Sequence, residues 1–322
     1  MLTRRSLVAS LAGLAFARAA PAQTFPSRSL TIVVPYPAGG PVDVVARLLA
    51  PVMSSQLGQT IAVDNRGGGA GTIGTLAVAR AEADGHTLVL GTNQTHATNQ
   101  SLIKNISYDG VKDFAPVAGI ADIPHVLVTK KSLEAADVRG LVTLAKSQPG
   151  KLSYGSTGNG SASHLAAELF KVRSGTDIVH VPFRGAAPMT TELLAGRLDL
   201  SFATLPSVIT QIEAGELRAL AVASPKRAAR LPDVPTLAEA GVQGVEADAW
   251  FALFAPASTP PTAIDRLYTS VSDALAQRAI ATALATQGMT VSLRPPADMA
   301  AFLRIEVAKW AAVIKAANVS VD

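Results

Sequence analysis

Leu30-Thr31-Ile32-Val33-Val34 is a short β-type run that stops at Pro35-Tyr36-Pro37-Ala38-Gly39-Gly40. Beyond Pro41 the apolar positions Val44, Val45, Leu48, Leu49 and Val52 recur at helical spacing. The order is strand, glycine loop, helix. It recurs where Ile61-Ala62-Val63 precedes a glycine-rich loop and a helix over residues 72–81, and where Thr87-Leu88-Val89-Leu90 precedes Gly91-Thr92-Asn93. Strands alternating with helices predict a largely parallel sheet covered on both faces.

A second group of β-type runs begins at Val126-Leu127-Val128 and continues through Leu152–Tyr154, Ile178–Val181, Leu198–Phe202 and Leu217–Val222, with helices expected over 161–172 and 186–195. The tail holds Trp250 to Phe254, a proline-rich break at 256–261, and helices expected over 263–285 and 296–317. It has too few strands for a third lobe. With 322 residues, two cores are the natural division. The expected architecture is an α/β protein of two lobes, residues 23–125 with 250–322 and residues 126–249, crossed twice by the chain and closing on a cleft.

Residues 1–22 read differently. Arg4 and Arg5 lead into an apolar stretch that ends at Ala20-Pro21-Ala22, the pattern of a cleavable secretory signal. Either the general or the twin-arginine export route fits the adjacent arginines. The formal charge of +4 shrinks with the leader, because losing Arg4, Arg5 and Arg18 from 28 basic residues leaves 25 against 24 acidic ones. No basic run with interleaved aromatics remains, so nucleic acid is not an expected partner. The absence of cysteine excludes disulfides, thiolate metal sites, a thiol nucleophile and a lipoprotein anchor. A free, periplasm-like location is expected.

Ligands of open α/β sheets bind beyond the carboxyl ends of strands. Three loops qualify. In the first, Pro41 suits the first helical position, so Gly39 and Gly40 present backbone N–H groups that no side chain obstructs; Ala38 belongs to the same turn. Asp43 falls in the first helical turn, as cap or as ligand contact. The second loop, Tyr154-Gly155-Ser156-Thr157-Gly158-Asn159-Gly160-Ser161, leads to a helix containing His164 and is the richest in hydroxyls and unobstructed amides. The third runs from Gly91 through Thr92, Asn93 and Thr95 to His96, either orienting a ligand or capping a helix.

Other chemistries fit less well. Gly69-Ala70-Gly71-Thr72-Ile73-Gly74 has dinucleotide-loop spacing but follows the second strand and lacks the ribose-binding acid after the next one. The five histidines, at 86, 96, 125, 164 and 180, show no metal-binding spacing, and no cofactor is expected. A serine hydrolase would rest on Ser156 or Ser161 near His164 without a nucleophile elbow. Arg66 and Arg184 are the cations nearest the candidate loops.

Taken together, several blocks resemble the extracytoplasmic solute-binding receptors of tripartite tricarboxylate transporters, the Bug-type or TctC-like family. They are Val34 to Asp43, Val63-Asp64-Asn65-Arg66, Asp84-Gly85-His86, Tyr108-Asp109 with Asp113-Phe114, Pro149 to Ser156 through His164-Leu165, His180 to Gly185, Leu231 to Thr236, Glu239-Ala240-Gly241, Trp250, and Glu306 with Lys309-Trp310. The resemblance runs from about Phe25 to the end. It implies a type II-like periplasmic-binding-protein fold that grips a small carboxylate through loop amides and bridging waters and delivers it to integral membrane transporter subunits.

Carried over by position, the implied contacts are Tyr36, Ala38, Gly39, Gly40 and Asp43, with Thr92, Asn93 and His96 nearby. Ser156, Thr157, Gly158, Ser161 and His164 would face them. Phe202 and Ala203 complete the expected ligand-binding set; many members read Phe-Asp there, so Ala203 removes a carboxylate, which argues against an ammonium-bearing ligand. A monomer without enzymatic activity is expected; a sensor for a membrane signalling partner, or a secreted hydrolase, is the alternative.

Overall fold

The computed structural model describes residues 25–321, so the leader with Arg4 and Arg5 lies outside the described residues. β1 (Leu30–Val34) leads to α1 (Pro41–Leu57), β2 (Ile61–Asn65) to α2 (Thr72–Ala79), and β3 (Thr87–Thr92) through a π-helical turn at Gln94–Thr98 to the short α3 (Asn99–Leu102). β4 (Phe114–Ile123) then carries the chain to β5 (His125–Lys130). Next come α4 (Val138–Ser147), β6 (Ser153–Ser156), α5 (Ala162–Ser174), β7 (Val179–Pro182), α6 (Ala186–Leu194), β8 (Leu200–Thr204), α7 (Leu205–Glu213) and β9 (Leu217–Val222). The chain closes with β10 (Ala249–Pro256), α8 (Pro261–Leu275), α9 (Arg278–Thr286), β11 (Thr290–Arg294) and α10 (Pro296–Ala316).

These strands form two mixed sheets, in the orders β11-β4-β10-β3-β1-β2 and β7-β6-β8-β5-β9. Each has a parallel trio, β2-β1-β3 in one and β7-β6-β8 in the other, extended by antiparallel strands. The trios are the strand–loop–helix units read from the sequence. The chain passes between sheets at Ile123-Pro124-His125 and again between Val222 and Ala249, so β10 and β11 lie in the first sheet.

β10 is central and buried at all eight residues. Its alternation splits the core: Trp250, Ala252 and Phe254 join one apolar cluster, whereas Phe251 and Leu253 join the other. The first of these clusters also takes in Leu127, Tyr154 and Phe170 of the second sheet and its helices, together with Trp310 of α10. Burying each such large side chain contributes roughly 1.5–3 kcal/mol. The indole N–H groups of Trp250 and Trp310 both donate to Glu306 Oε2, at 3.0 and 2.9 Å, which fixes α10 on the back of the molecule.

Two expectations change in the tail and at the sheet edge. The helix expected over 263–285 is two helices, broken between Leu275 and Arg278. β4 carries Pro116 and Gly119, residues that mask a strand in sequence. Gly119 is required, because a Cβ there would lie 2.9 Å from both Ser292 O and Arg294 Cβ of β11.

The crossings are tied together by buried polar contacts. The ring of His125 is neutral, its pKa pushed down to about 4 by burial. Its Nδ1–H donates to Ala247 O at 2.8 Å, so the residue that opens β5 holds the second crossing. Asp248 meets Ser224 Oγ in a short hydrogen bond, and enclosure in the protein pushes its carboxyl up to about 7. A carboxyl whose pKa is raised on folding supports the fold at low pH and loses that contribution as pH climbs from about 4 through 7. Asp248→Asn is therefore expected to unfold at higher temperature than the parent at pH 8, with the gap closing at pH 4, as thermal unfolding at the two pH values would show.

Candidate functional site

A cavity of about 640 Å3 opens between loops of the two sheets. From the first sheet come the β1–α1 loop and first turn, Tyr36 to Val42, the β3 exit at Thr92, Asn93 and Gln94, and Phe251 of β10. From the second come Thr157, Ser161 and Ala162, at the start of α5. The cavity thus receives the N-termini of two helices. Helix N-termini leave backbone N–H groups unpaired and carry the positive end of the helix dipole, so their meeting point favours an anion.

The β1–α1 turn is built around one carboxylate. Gly40 is the N-cap of α1 and Pro41 its first residue. Asp43, buried in the first turn, accepts from Gly39 N at 2.9 Å, from Arg47 Nε at 3.0 and 2.9 Å, and from Asn65 Nδ2 at 3.0 Å. Asn65 also donates to Tyr36 O at 3.2 Å, closing a circuit between β2 and the loop. The Arg47 guanidinium, helped by the Gly39 and Asn65 hydrogen bonds, holds Asp43 down to about 2 against the cost of burial. Gly39 has φ +82°, a left-handed conformation natural to glycine.

Asp43 is therefore a cap that does not line the cavity, and it takes the Gly39 amide that the sequence left open for a ligand. The amides of Gly40, Val42 and Asp43 remain at the helix start without intrahelical acceptors.

The β3 exit divides by depth. Tyr36 OH lies 2.9 Å from Thr92 Oγ1 and donates to Gln94 Oε1 at 3.1 Å, fixing one wall. Thr92 and Thr95 cap each other through backbone and hydroxyl, at 2.9 and 3.3 Å. Asn93 is 5% exposed and lines the cavity. His96 does not. Its ring is 0% exposed, stacks on Phe254 at 4.0 Å, and fills the space above Gly91, where a Cβ would fall 2.4 Å from the imidazole. Burial pushes its pKa down to about 3, so it is a neutral core residue and not a contact.

The second-sheet loop also corrects the sequence reading. Its amides are largely taken by the turn itself: Thr157 N donates to Ser163 Oγ (2.9 Å), Gly158 N to Ser156 Oγ (3.2 Å), Gly160 N to His164 Nδ1 (3.0 Å) and Ser161 N to Gly158 O (3.2 Å). Ser161 caps α5 by accepting from His164 N. What reaches the cavity is the Thr157 and Ser161 side of the turn and the α5 start, so the loop with the most glycine is not an open cradle.

His164 packs its ring on His180 at 3.8 Å, and the Tyr154 ring lies 4.8 Å from His180 and 6.2 Å from His164. Ser156, fully buried, sits 2.6 Å from His180 Nε2. Gly158, Ser156 and His164 shape the loop from beneath without lining the cavity. Phe202 and Ala203 are buried in β8, Phe202 against Phe170, and neither lines the cavity. Thr204, the last residue of β8, turns directly into α7.

Of the expected contacts, Tyr36, Ala38, Gly39, Gly40, Thr92, Asn93, Thr157 and Ser161 line the cavity. Gln94, Val42, Ala162 and Phe251 also line it, with Pro37 and Pro41, and were not singled out as contacts, although Gln94 and Val42 belong to the candidate loops. The first three adjoin predicted positions, so helix-start geometry could have found them. Phe251 is distant in sequence and arrives only through its pairing with Thr92.

Neither hydrolytic nor nucleotide chemistry has its parts here. Ser156 is enclosed away from the cavity, and Ser161 is spent on capping. The glycines of the Gly69–Gly74 pattern serve packing: a Cβ on Gly74 would stand 2.7 Å from Arg66 O and 3.0 Å from Pro35 Cα. Among the described residues, no group of three or more His, Asp or Glu side chains could hold a metal ion.

A family model described as "Tripartite tricarboxylate transporter family receptor" matches residues 45–319. The chain belongs to this receptor family. It is 38% identical over 295 residues to protein BugT of Bordetella pertussis, covering 91% of this chain and 90% of that protein. Among solved structures, R. palustris Rpa4515 with adipate superposes with TM-score 0.78 at 39% identity, over 92% of this chain and 100% of the other. MatC from Rhodopseudomonas palustris with bound malate gives 0.74 at 34% identity, over 90% and 100%. A family of solute-binding receptors agrees with a non-enzymatic, two-lobed α/β protein.

The role of Asp43 generates a prediction. Asp43→Ala removes the acceptor shared by Gly39, Arg47 and Asn65 and is expected to destabilise the fold by about 1–3 kcal/mol, the usual range for losing a buried cap and its partners. Urea denaturation at neutral pH measures it.

Proposed function

We propose that the chain is a periplasmic receptor that captures a small carboxylate in the cavity between its lobes and hands it to the membrane subunits of a tripartite tricarboxylate-type transporter. The observation carrying this reading is the approach of two helix N-termini, those of α1 and α5, to one cavity. Residues 23–125 with 250–322 form the first lobe of this receptor and residues 126–249 the second, hinged at the two crossings. The amides of Gly40, Val42 and Asp43 hold the carboxylate from one side, while Thr157, Ser161 and the first turn of α5 meet it from the other, directly or through water. Ligand bridging the lobes favours the closed form, which is the form a membrane partner distinguishes from the empty one. The receptor acts as a monomer after its leader, residues 1–22, is removed on export.

Family members named with adipate and malate support the ligand class. The cavity geometry supports the mode of holding: it contains hydrogen-bond donors, and its Ser161 and Thr157 hydroxyls are engaged in the turn that starts α5.

Gly40 offers a clean test. Its φ of −77° suits any residue, and a Cβ there would meet nothing closer than Pro37 O at 3.6 Å. Gly40→Val is expected to cost the empty protein only about 1 kcal/mol, the usual scale for a poorer N-cap, while cutting carboxylate affinity at least tenfold. The parent, stripped of bound ligand, should melt at higher temperature with a cognate carboxylate, by linkage of binding to folding. A broad carboxylate panel producing no shift in the parent would refute the reading.

A further inference from the structure

A second cavity, of about 370 Å3, adjoins the one described above. Its lining includes Thr72, Leu102 and Ile103 from the first-sheet side, Asn159 and Gly160 from the loop before α5, and Val321 near the C-terminus. Val321 and Leu102 press on Gly160, where a Cβ would stand 2.7 and 3.0 Å from their side chains. Of all the residues that line the two cavities, only Gln94 belongs to both.

The half-buried Gln94 is fixed at both ends. Its backbone opens the π-helical turn, where its carbonyl accepts from Asn99 N. Its side-chain oxygen, Oε1, accepts from Tyr36 OH at 3.1 Å. The direction of that bond follows from its neighbours. Tyr36 OH has one proton and gives it to Gln94, so Thr92 Oγ1, 2.9 Å away, donates to the phenol oxygen, while Thr92 Oγ1 in turn accepts from Thr95 N at 3.3 Å. Burial pushes the Tyr36 phenol above its ordinary pKa, so the proton stays in place. Among the described residues, the Tyr36 bond is the only hydrogen bond to the Gln94 side chain. One hydroxyl therefore latches the partition.

On the carboxylate-receptor reading, which this deepens, we propose that Gln94 sets the length of ligand the receptor accepts: latched by Tyr36, it ends the ligand cavity, and the cavity beyond it is a subsite open to longer carboxylates only when Gln94 is displaced. A ligand that fits in front of Gln94 leaves the latch intact. A longer one must break the Tyr36 bond and turn the carboxamide aside, after which Leu102, Ile103 and Val321 offer apolar cover to its chain. A pocket that accepts or refuses a single methylene discriminates by about 10–200-fold. The selection is by length and applies alike to carboxylates with one acid group or two.

Isothermal titration of the exported protein, freed of ligand by exhaustive dialysis, tests this with straight-chain dicarboxylates from succinate to sebacate and monocarboxylates from butanoate to decanoate. In the parent, affinity is expected to fall at least tenfold beyond some chain length. Gln94→Ala, which removes both latch and wall, is expected to improve the first refused ligand at least tenfold relative to the longest accepted one. Tyr36→Phe keeps the carboxamide but frees it, and is expected to move the same ratio in the same direction by a smaller factor. The readout is a ratio of affinities within one variant, so a general weakening of binding does not imitate it. Gln94→Ser is measured alongside, so that a folding defect in one truncation leaves the other to decide. An unchanged ratio in the truncations, or a parent that binds every length equally well, overturns the proposal and leaves the receptor reading intact. A shift confined to the truncations overturns the assignment of Tyr36 as the latch. Absence of binding by the parent to every member of both series sinks the receptor reading itself.

Discussion

Two helices from different sheets begin at the same cavity, and most of what is particular about this molecule follows from that constraint. A helix start is a weak anion site alone, because water competes for its amides and screens its dipole. Two starts opening on one cavity offer an anion groups fixed by the backbone, at no cost in side-chain ordering. The arrangement also explains why the cavity tolerates a neutral lining, since the positive potential comes from peptide dipoles and not from lysine or arginine.

Holding those starts in place falls to residues behind the cavity. On one side Asp43 binds loop, helix and neighbouring strand through Gly39, Arg47 and Asn65. On the other, the Tyr154–His180–His164 stack and the Ser156–His180 contact support the turn that presents Ser161. Burial keeps both histidines neutral, each with its pKa pushed down to about 4, so the stack is uncharged at neutral pH. Polar residues that resemble a catalytic set in a list are a foundation in space. The chain crosses between the two sheets at Ile123–His125 and again between Val222 and Ala249, and α10 packs against elements of both halves.

Strand and helix order were legible because each parallel unit repeats one pattern: a β-branched run, glycines, then apolar residues at helical spacing. β4 and β11 were not, because Pro116 and Gly119 break the first pattern and β11 is a short edge strand whose partners lie far away in sequence. The β1–α1 loop could be placed from Gly40 and Pro41 alone. Side-chain direction could not. His96 and Thr92 sit four residues apart, yet one is core and the other lines the cavity, because a π-helical turn directs His96 onto Phe254. The glycine-rich loop before α5 misled for a related reason: Ser156, Ser163 and His164 supply acceptors to its amides, and only the folded turn reveals which donors are already engaged. The resemblance carried by many short blocks gave the family, whereas the neutral lining required knowing which residues meet across the cleft.

The central claim is that one carboxylate is held between the starts of α1 and α5. It is tested most directly by a crystal structure of the protein with the tightest-binding carboxylate of a solution panel. The account predicts carboxylate oxygens within hydrogen-bonding distance, direct or through one water, of the Gly40–Asp43 amides on one side and of Thr157, Ser161 or the first turn of α5 on the other. A carboxylate lodged elsewhere, or touching only one of the two helix starts in a closed molecule, would contradict it.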